Sequence, residues 1–214
     1  MQIDKLVLGS YENNCYVIRS DKNTGDCLII DTGLDSKPLI AFLKKENLNP
    51  VFLVLTHGHA DHIAGAAELR RIFKNIKVCI HKDDGKMLGD AGSNFSRFAG
   101  VEITTSPADT IFDKETEFDF DGMKFQIIHT PGHTLGGICL YNKENNVLFS
   151  GDSLFAGSIG RTDFSGYDAE KSMEQLIESI KTKLLILPEE TTVLPGHGGR
   201  TSIGREKRSN PYLQ

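Results

Sequence analysis

The chain has 214 residues, 39% of them apolar and 25% charged, and a net charge of -5. That is ordinary globular usage in a chain long enough to bury a real core, so disorder is not expected. The acidic balance, with no basic stripe, argues against a nucleic-acid binder. Apolar runs such as VFLVL (51–55) are far too short to span a membrane, so no membrane partner is expected.

The opening MQIDKLVLGS lacks a charged segment followed by an apolar one, so no signal peptide is expected. Cys15, Cys27, Cys79 and Cys139 are scattered, with no C-x-x-C pair. They read as small buried residues in a reducing, cytoplasmic setting rather than as a disulfide framework or zinc knuckle. No repeat or Ser/Gly/Pro linker divides the chain, and residues 1–214 read as one domain.

NCYVIRS (14–20) and DCLIIDTG (26–33) alternate, are rich in β-branched residues and end in turn formers, which predicts two paired strands. DSKPLIAFLKKENL (35–48) places Leu39, Ile40 and Leu43 on one face and predicts an amphipathic helix capped by Asp35 or Ser36. VFLVL (51–55) predicts a short buried strand, HIAGAAELRRIF (62–73) a helix and KVCIH (77–81) another buried strand. Residues 89–108 lack a clear period and read as a surface loop. Phe95 and Phe98 in that loop are as compatible with covering a substrate as with an ordinary surface. TEFDFDGMKFQIIHTPGH (116–133) alternates around Asp-Gly, a hairpin signature. GICLYNKENNVLFSGD (137–152) repeats it around KENN. DAEKSMEQLIESIKTKL (168–184) predicts a long amphipathic helix, and TTVLPGHG (191–198) a last strand. Hairpins mixed with helices in both halves suit an α+β fold with two packed sheets and helices outside.

Four strands run out into metal-type ligands. VFLVL leads to His57, His59, Asp61 and His62, KFQIIHTPG to His133, NVLFSG to Asp152, and TTVLPG to His197. In an extended stretch His57 and His59 point to the same side, so two imidazoles can reach one ion. Asp61 and His62, where the chain turns into a helix, aim at a neighbouring position. Imidazole and carboxylate suit zinc, and also manganese or iron. Five histidines and two aspartates exceed one four-coordinate ion and suit two, with one carboxylate shared. Two divalent ions, two aspartates and a bridging hydroxide leave a formal charge of about +1, a site with a ready nucleophile that favours an oxyanion. His81 and His129 fall outside these motifs and read as structural residues.

Taken together, THGHADH (56–62), TPGHTLGG (130–137), SGDSLF (150–155), LPGHG (194–198) and DTG (31–33) resemble the metallo-β-lactamase-fold hydrolases. GSIGRTDF (157–164) and TSIGREKRSNPYL (201–213) are similar to a small glyoxalase II-like group within them. The resemblance covers the chain from about Asn13 onward. It implies an αββα four-layer sandwich with a dinuclear site at one edge between two mixed sheets. It also implies that His57, His59 and His133 bind a first metal, that Asp61, His62 and His197 bind a second, and that Asp152 bridges them. Asp31 would then steady the ligands through hydrogen bonds; a plain turn former ahead of Gly33 is the other reading.

The activity so implied is hydrolysis of a thioester, an acyl-thiol of the lactoylglutathione type. Metal-bound hydroxide is the nucleophile, Asp61 orients it, and the cofactors are two divalent ions, zinc first. Arg161 in a glycine-rich turn could clamp a substrate carboxylate or form a structural ion pair with Asp163. Only 17 residues follow His197, so the glutathione-gripping helical region of glyoxalase II enzymes is not expected. The tRNA-gripping insertion of the nucleases is not evident. An antibiotic substrate is not expected either, because related β-lactamases usually differ at the bridging aspartate and carry secretion signals. A different chemistry remains open, a mononuclear iron persulfide dioxygenase using His57, His133 and Asp152. Its relatives usually carry a cysteine near GRTDF, where this chain has Ser158 and Ile159. A lactonase or phosphodiesterase on the same site is a further alternative.

Overall fold

The computed structural model describes residues 1–20, 25–164, 166 and 168–214. The chain forms two compact units, Met1–Asp113 with Phe120–Met123, and Lys114–Asp119 with Lys124–Gln214.

The first unit is built on a six-stranded sheet whose spatial order follows the chain: β1 (Gln2–Leu8), β2 (Asn13–Arg19), β3 (Asp26–Ile30), β4 (Asn49–Val54), β5 (Lys77–His81) and β6 (Thr110–Phe112). The first three strands pair antiparallel and the last three join them in parallel, so the sheet is mixed. Parallel pairs need crossovers, supplied here by α1 (Lys37–Lys45), and by α2 (Ala60–Ile63) with α3 (Ala66–Ile72). Leu39, Leu43, Ile63 and Leu69 from these helices pack with Val17, Ile29, Leu53, Val78 and Ile80 from alternate strand positions. The 3.6-residue and two-residue periods thus meet in one core.

The second unit carries β7 (Thr116–Phe120), β8 (Met123–His129), β9 (Ile138–Asn142), β10 (Val147–Gly151), the short ribbon β11 (Leu154–Phe155) with β12 (Ser158–Ile159), β13 (Thr192–Pro195) and β14 (Thr201–Ser202). Its main sheet runs β14-β13-β10-β9-β8-β7, mixed because β10 and β13 are parallel. α4 (Ala169–Ser179) continues into a π-helical turn, Ile180–Leu184, and α5 (Ile203–Ser209) follows β14. Leu176, Ile180 and Leu184 pack with Cys139, Tyr141, Leu148, Val193 and Ile203. The Asp168 side chain caps α4 by accepting from Lys171 N–H. Asp121 and Gly122, between β7 and β8, both have positive φ, 52° and 81°, as a two-residue hairpin turn requires.

Three details differ from the sequence expectation. The predicted helix over 62–73 is interrupted at Gly65, where a Cβ would sit 3.0 Å from both the Ser36 and Thr32 Cβ atoms. Gly65 N–H donates to Thr32 Oγ1 at 2.9 Å, so the break is a packing point. Ser36 precedes α1 but its hydroxyl donates to Glu68, and it is the other expected residue, Asp35, that accepts from Lys37 N–H at the start of the helix, at 3.1 Å. The sequence pattern does not reveal β1, β6, β14 or α5. β1, β6 and β14 are edge strands, buried on one side at most, so their alternation is weak.

Candidate metal centre

In the first unit, the end of β4 delivers His57, His59, Asp61 and His62 in one turn of chain leading into α2. His57, His59 and His62 are all buried. His57 Nε2 lies 3.1 Å from His59 Nδ1, and the His57 and His62 rings are 4.0 Å apart. His62 Nε2 lies 3.7 Å from Asp61 Oδ2. Donor atoms sharing a tetrahedral zinc ion stand roughly 3.3 Å apart, given Zn–N bonds of about 2.0–2.1 Å. The histidine and aspartate donors of this unit therefore have the chemistry and mutual spacing of metal ligands.

Asp31 organises that turn. It follows β3 in the left-handed region, φ 57°, and is buried. Its carboxylate accepts from Thr56 N–H and Thr56 Oγ1, each at 2.7 Å, and from His62 Nδ1 at 2.9 Å. Because the Thr56 hydroxyl donates to Asp31, it accepts from His57 Nδ1, 3.1 Å away. These partners assign the proton of both His57 and His62 to Nδ1 and leave Nε2 as the acceptor atom, which in His62 faces the Asn13 amide. Fixing the tautomer from behind is how ligand histidines are tuned.

Three further residues support the turn, and none stands out in the sequence. Thr56 relays Asp31 to His57. Asp84, fully buried, accepts from Gly58 N–H at 2.9 Å, between the two histidines. Asn13, also buried, lays its Nδ2 3.0 Å from His62 Nε2. The available signal is weak: a threonine directly before the first histidine, whereas Asn13 and Asp84 stand among other polar residues, in YENNCY and HKDDGK.

In the second unit, His133, Asp152 and His197 leave the ends of β8, β10 and β13. Asp152 Oδ2 stands 3.6 Å from His133 Nε2 and 3.6 Å from His197 Nε2, so one carboxylate is flanked by two imidazoles. His133 Nδ1 donates to the Arg161 carbonyl at 2.9 Å, which again leaves Nε2 as the acceptor atom. Glycine makes this approach possible. A Cβ on Gly160 would lie 2.0 Å from the Asp152 carbonyl and 3.1 Å from the His133 ring. Gly132, φ 136°, packs so closely on α4 that a Cβ would meet Leu176 at 2.5 Å.

Arg161 is exposed. Its Nε donates to Asp163 at 2.8 Å, and its guanidinium lies 4.9 Å over the Phe164 ring. The ion pair considered for Arg161 is thus present, and it leaves the terminal nitrogens of the fork available to other groups. Glu206 of α5, fully buried, accepts from Gly157 N–H and Thr201 Oγ1. It ties the GSIG and TSIGRE segments together structurally. His81 Nδ1 lies 3.4 Å from Asp83 N–H, and His129 Nε2 donates to the Leu135 carbonyl at 2.9 Å.

The chain matches the metallo-β-lactamase superfamily over residues 8–197 and belongs to it. Its two mixed sheets with their helices are the metallo-β-lactamase fold, an α+β fold of metallo-hydrolases. Among its relatives is the hydroxyacylglutathione hydrolase GloC of Haemophilus influenzae, 39% identical over 100% of this chain and 98% of that protein. The crystal structure of the B3 metallo-β-lactamase BLEG-1 is similar with a TM-score of 0.91 and 40% identity, covering 99% of each chain. TTHA1623, solved in a di-iron-bound form, is similar with a TM-score of 0.82 and 34% identity, covering 98% of this chain and 100% of that one.

Proposed function

We propose that this protein is a dinuclear metal hydrolase of thioesters, acting on small acyl-thiols of the S-lactoylglutathione type. In this reading residues 1–214 work as one metallo-β-lactamase-like domain. His57, His59 and His133 would hold one ion, Asp61, His62 and His197 the other, and Asp152 would be the carboxylate they share. The single observation that carries it is the complete set of seven donors, each supported from behind or flanked at ligand spacing, in a chain 39% identical along its whole length to a hydroxyacylglutathione hydrolase.

Two divalent ions bound there supply an ionised water near neutral pH and positive charge against an oxyanion. Asp61 orients the attacking water through its carboxylate. Asp31 holds His57 and His62 in the tautomer that presents Nε2. Arg161 grips a carboxylate on the substrate with the guanidinium nitrogens that Asp163 leaves available. The thiolate leaves as a stable anion that needs little protonation. Zinc suits the donor set; the di-iron form of TTHA1623 keeps an iron pair in view. A cytoplasmic setting accords with four free, buried cysteines.

One observation favours a second reading. BLEG-1 is described as a B3 metallo-β-lactamase and covers nearly this whole chain at 40% identity, so hydrolysis of a β-lactam amide is the competitor. Zinc-loaded protein, offered S-lactoylglutathione and a cephalosporin side by side, tests the choice. Thiol release with little lactam opening supports the proposal; the reverse preference overturns it.

A further inference from the structure

Loop 90–103 presents two aromatic rings beside the histidine cluster. Phe95 packs edge-on against His59, with ring centroids 5.3 Å apart, and Phe98 lies 5.8 Å from Phe95. Phe98 is 76% exposed, the most exposed large apolar side chain of the described residues. Phe95 holds a left-handed backbone, φ 66° and ψ 5°, which a bulky residue rarely adopts. Strain of this kind persists only where its surroundings impose it.

The surroundings here do so. The Asn94 side chain donates to the carbonyls of Met87 and Ile103 and accepts from Ser96 N–H. Ser96 Oγ accepts from Ile103 N–H. The Asn94 carbonyl accepts from Ala60 N–H at 3.0 Å, where α2 begins, next to Asp61 and His62. The loop is thus fastened to the turn that carries the donors. Phe98, whose ring stands 5.8 Å from Phe95, leaves most of its apolar surface in water, and covering that surface with an apolar group is favourable.

We propose that Phe95 and Phe98 form an apolar step beside His59 that receives the apolar or aromatic arm of the substrate. The inference rests on the thioesterase reading, and it deepens it: among acyl-thiols of that type, those carrying an added apolar arm on the acyl or the thiol side are the better substrates.

The test compares zinc-loaded wild-type protein with Phe98→Ser, a change at a side chain exposed to solvent, after both are shown to hold the same metal content. One series varies the acyl group on glutathione, from acetyl to phenylacetyl. The other varies the thiol of acetyl thioesters, from ethanethiol to benzyl mercaptan. The wild type is expected to favour the aromatic member of one series, and Phe98→Ser to reduce that ratio of kcat/KM by about tenfold, within the usual range for a lost apolar contact. The series that responds identifies the arm. An unchanged ratio in both overturns the proposal. Calorimetric binding of benzyl mercaptan against ethanethiol needs no hydrolysis. If the wild type cleaves no thioester, the thioesterase reading falls, and this comparison still decides on the step. A wild-type preference for benzyl mercaptan that Phe98→Ser abolishes supports it; equal preference in both proteins removes it.

Discussion

The Asp31 carboxylate grips Thr56 twice, at backbone N–H and hydroxyl, each at 2.7 Å. The second bond forces the hydroxyl to accept from His57 Nδ1. A residue at the end of β3 therefore sets the protonation of a histidine beyond the end of β4. Thr56→Val keeps the shape and the backbone bond but removes the relay. We expect zinc affinity to fall roughly 10–100-fold, the usual effect of losing a hydrogen bond behind a ligand. Fold stability should fall by about 1 kcal/mol. Competition with a chromophoric chelator reads the first, and urea unfolding of the metal-free protein the second. Unchanged zinc affinity would remove Thr56 from the account.

Arg161 has two roles that separate by experiment. Its pair with Asp163 is exposed on both sides and so contributes little to stability. Arg161→Ala should leave the melting temperature nearly unchanged and raise KM for a carboxylated thioester, with a smaller change for an uncharged one. A lower melting temperature with unchanged KM would leave only the ion pair.

The Asp109 carboxylate sits between Val78 N–H and the Arg70 guanidinium. Its partial burial raises its pKa, but these hydrogen bonds and the Arg70 charge outweigh that and hold it below the ordinary carboxylate value. A depressed folded-state pKa means stability that is present above the unfolded value of about 3.9 and lost as pH falls through the folded value. Asp109→Asn should therefore be less stable than wild type at pH 7, and the gap should narrow in acid below the unfolded value. A gap independent of pH would show that the charge contributes nothing.

Burial pushes the thiols up, to about 12 at Cys27 and Cys79 and about 11 at Cys139, with Cys15 raised as well. The thiolate is the reactive form. A disulfide reagent at pH 8 should leave the native protein unlabelled and titrate all four cysteines after denaturation. Rapid labelling of native protein would contradict the buried placement.

The candidate donors stand out because they follow runs of apolar residues and five of the seven, all but Asp61 and His62, sit beside glycine, so chemistry and position are written in adjacent letters. The hairpin at Asp121–Gly122 and the core face of α1 were legible for the same reason. Thr56, Asp84 and Asn13 were not, because their meaning lies in partners far along the chain: Asp31, Gly58 and His62. Gly65 reads as an ordinary helical glycine until Thr32 and Ser36 are placed against it. The weak alternation of β1, β6 and β14 reflects their edge positions.

The most direct test of the central claim is the metal content of protein purified without added metal, measured element by element. About two divalent ions per chain are expected, as seven donors with one shared carboxylate require, and fewer than two in His59→Ala and Asp61→Ala. A single iron per chain, retained when His59 and Asp61 are replaced, would contradict the claim and point to a mononuclear oxygenase.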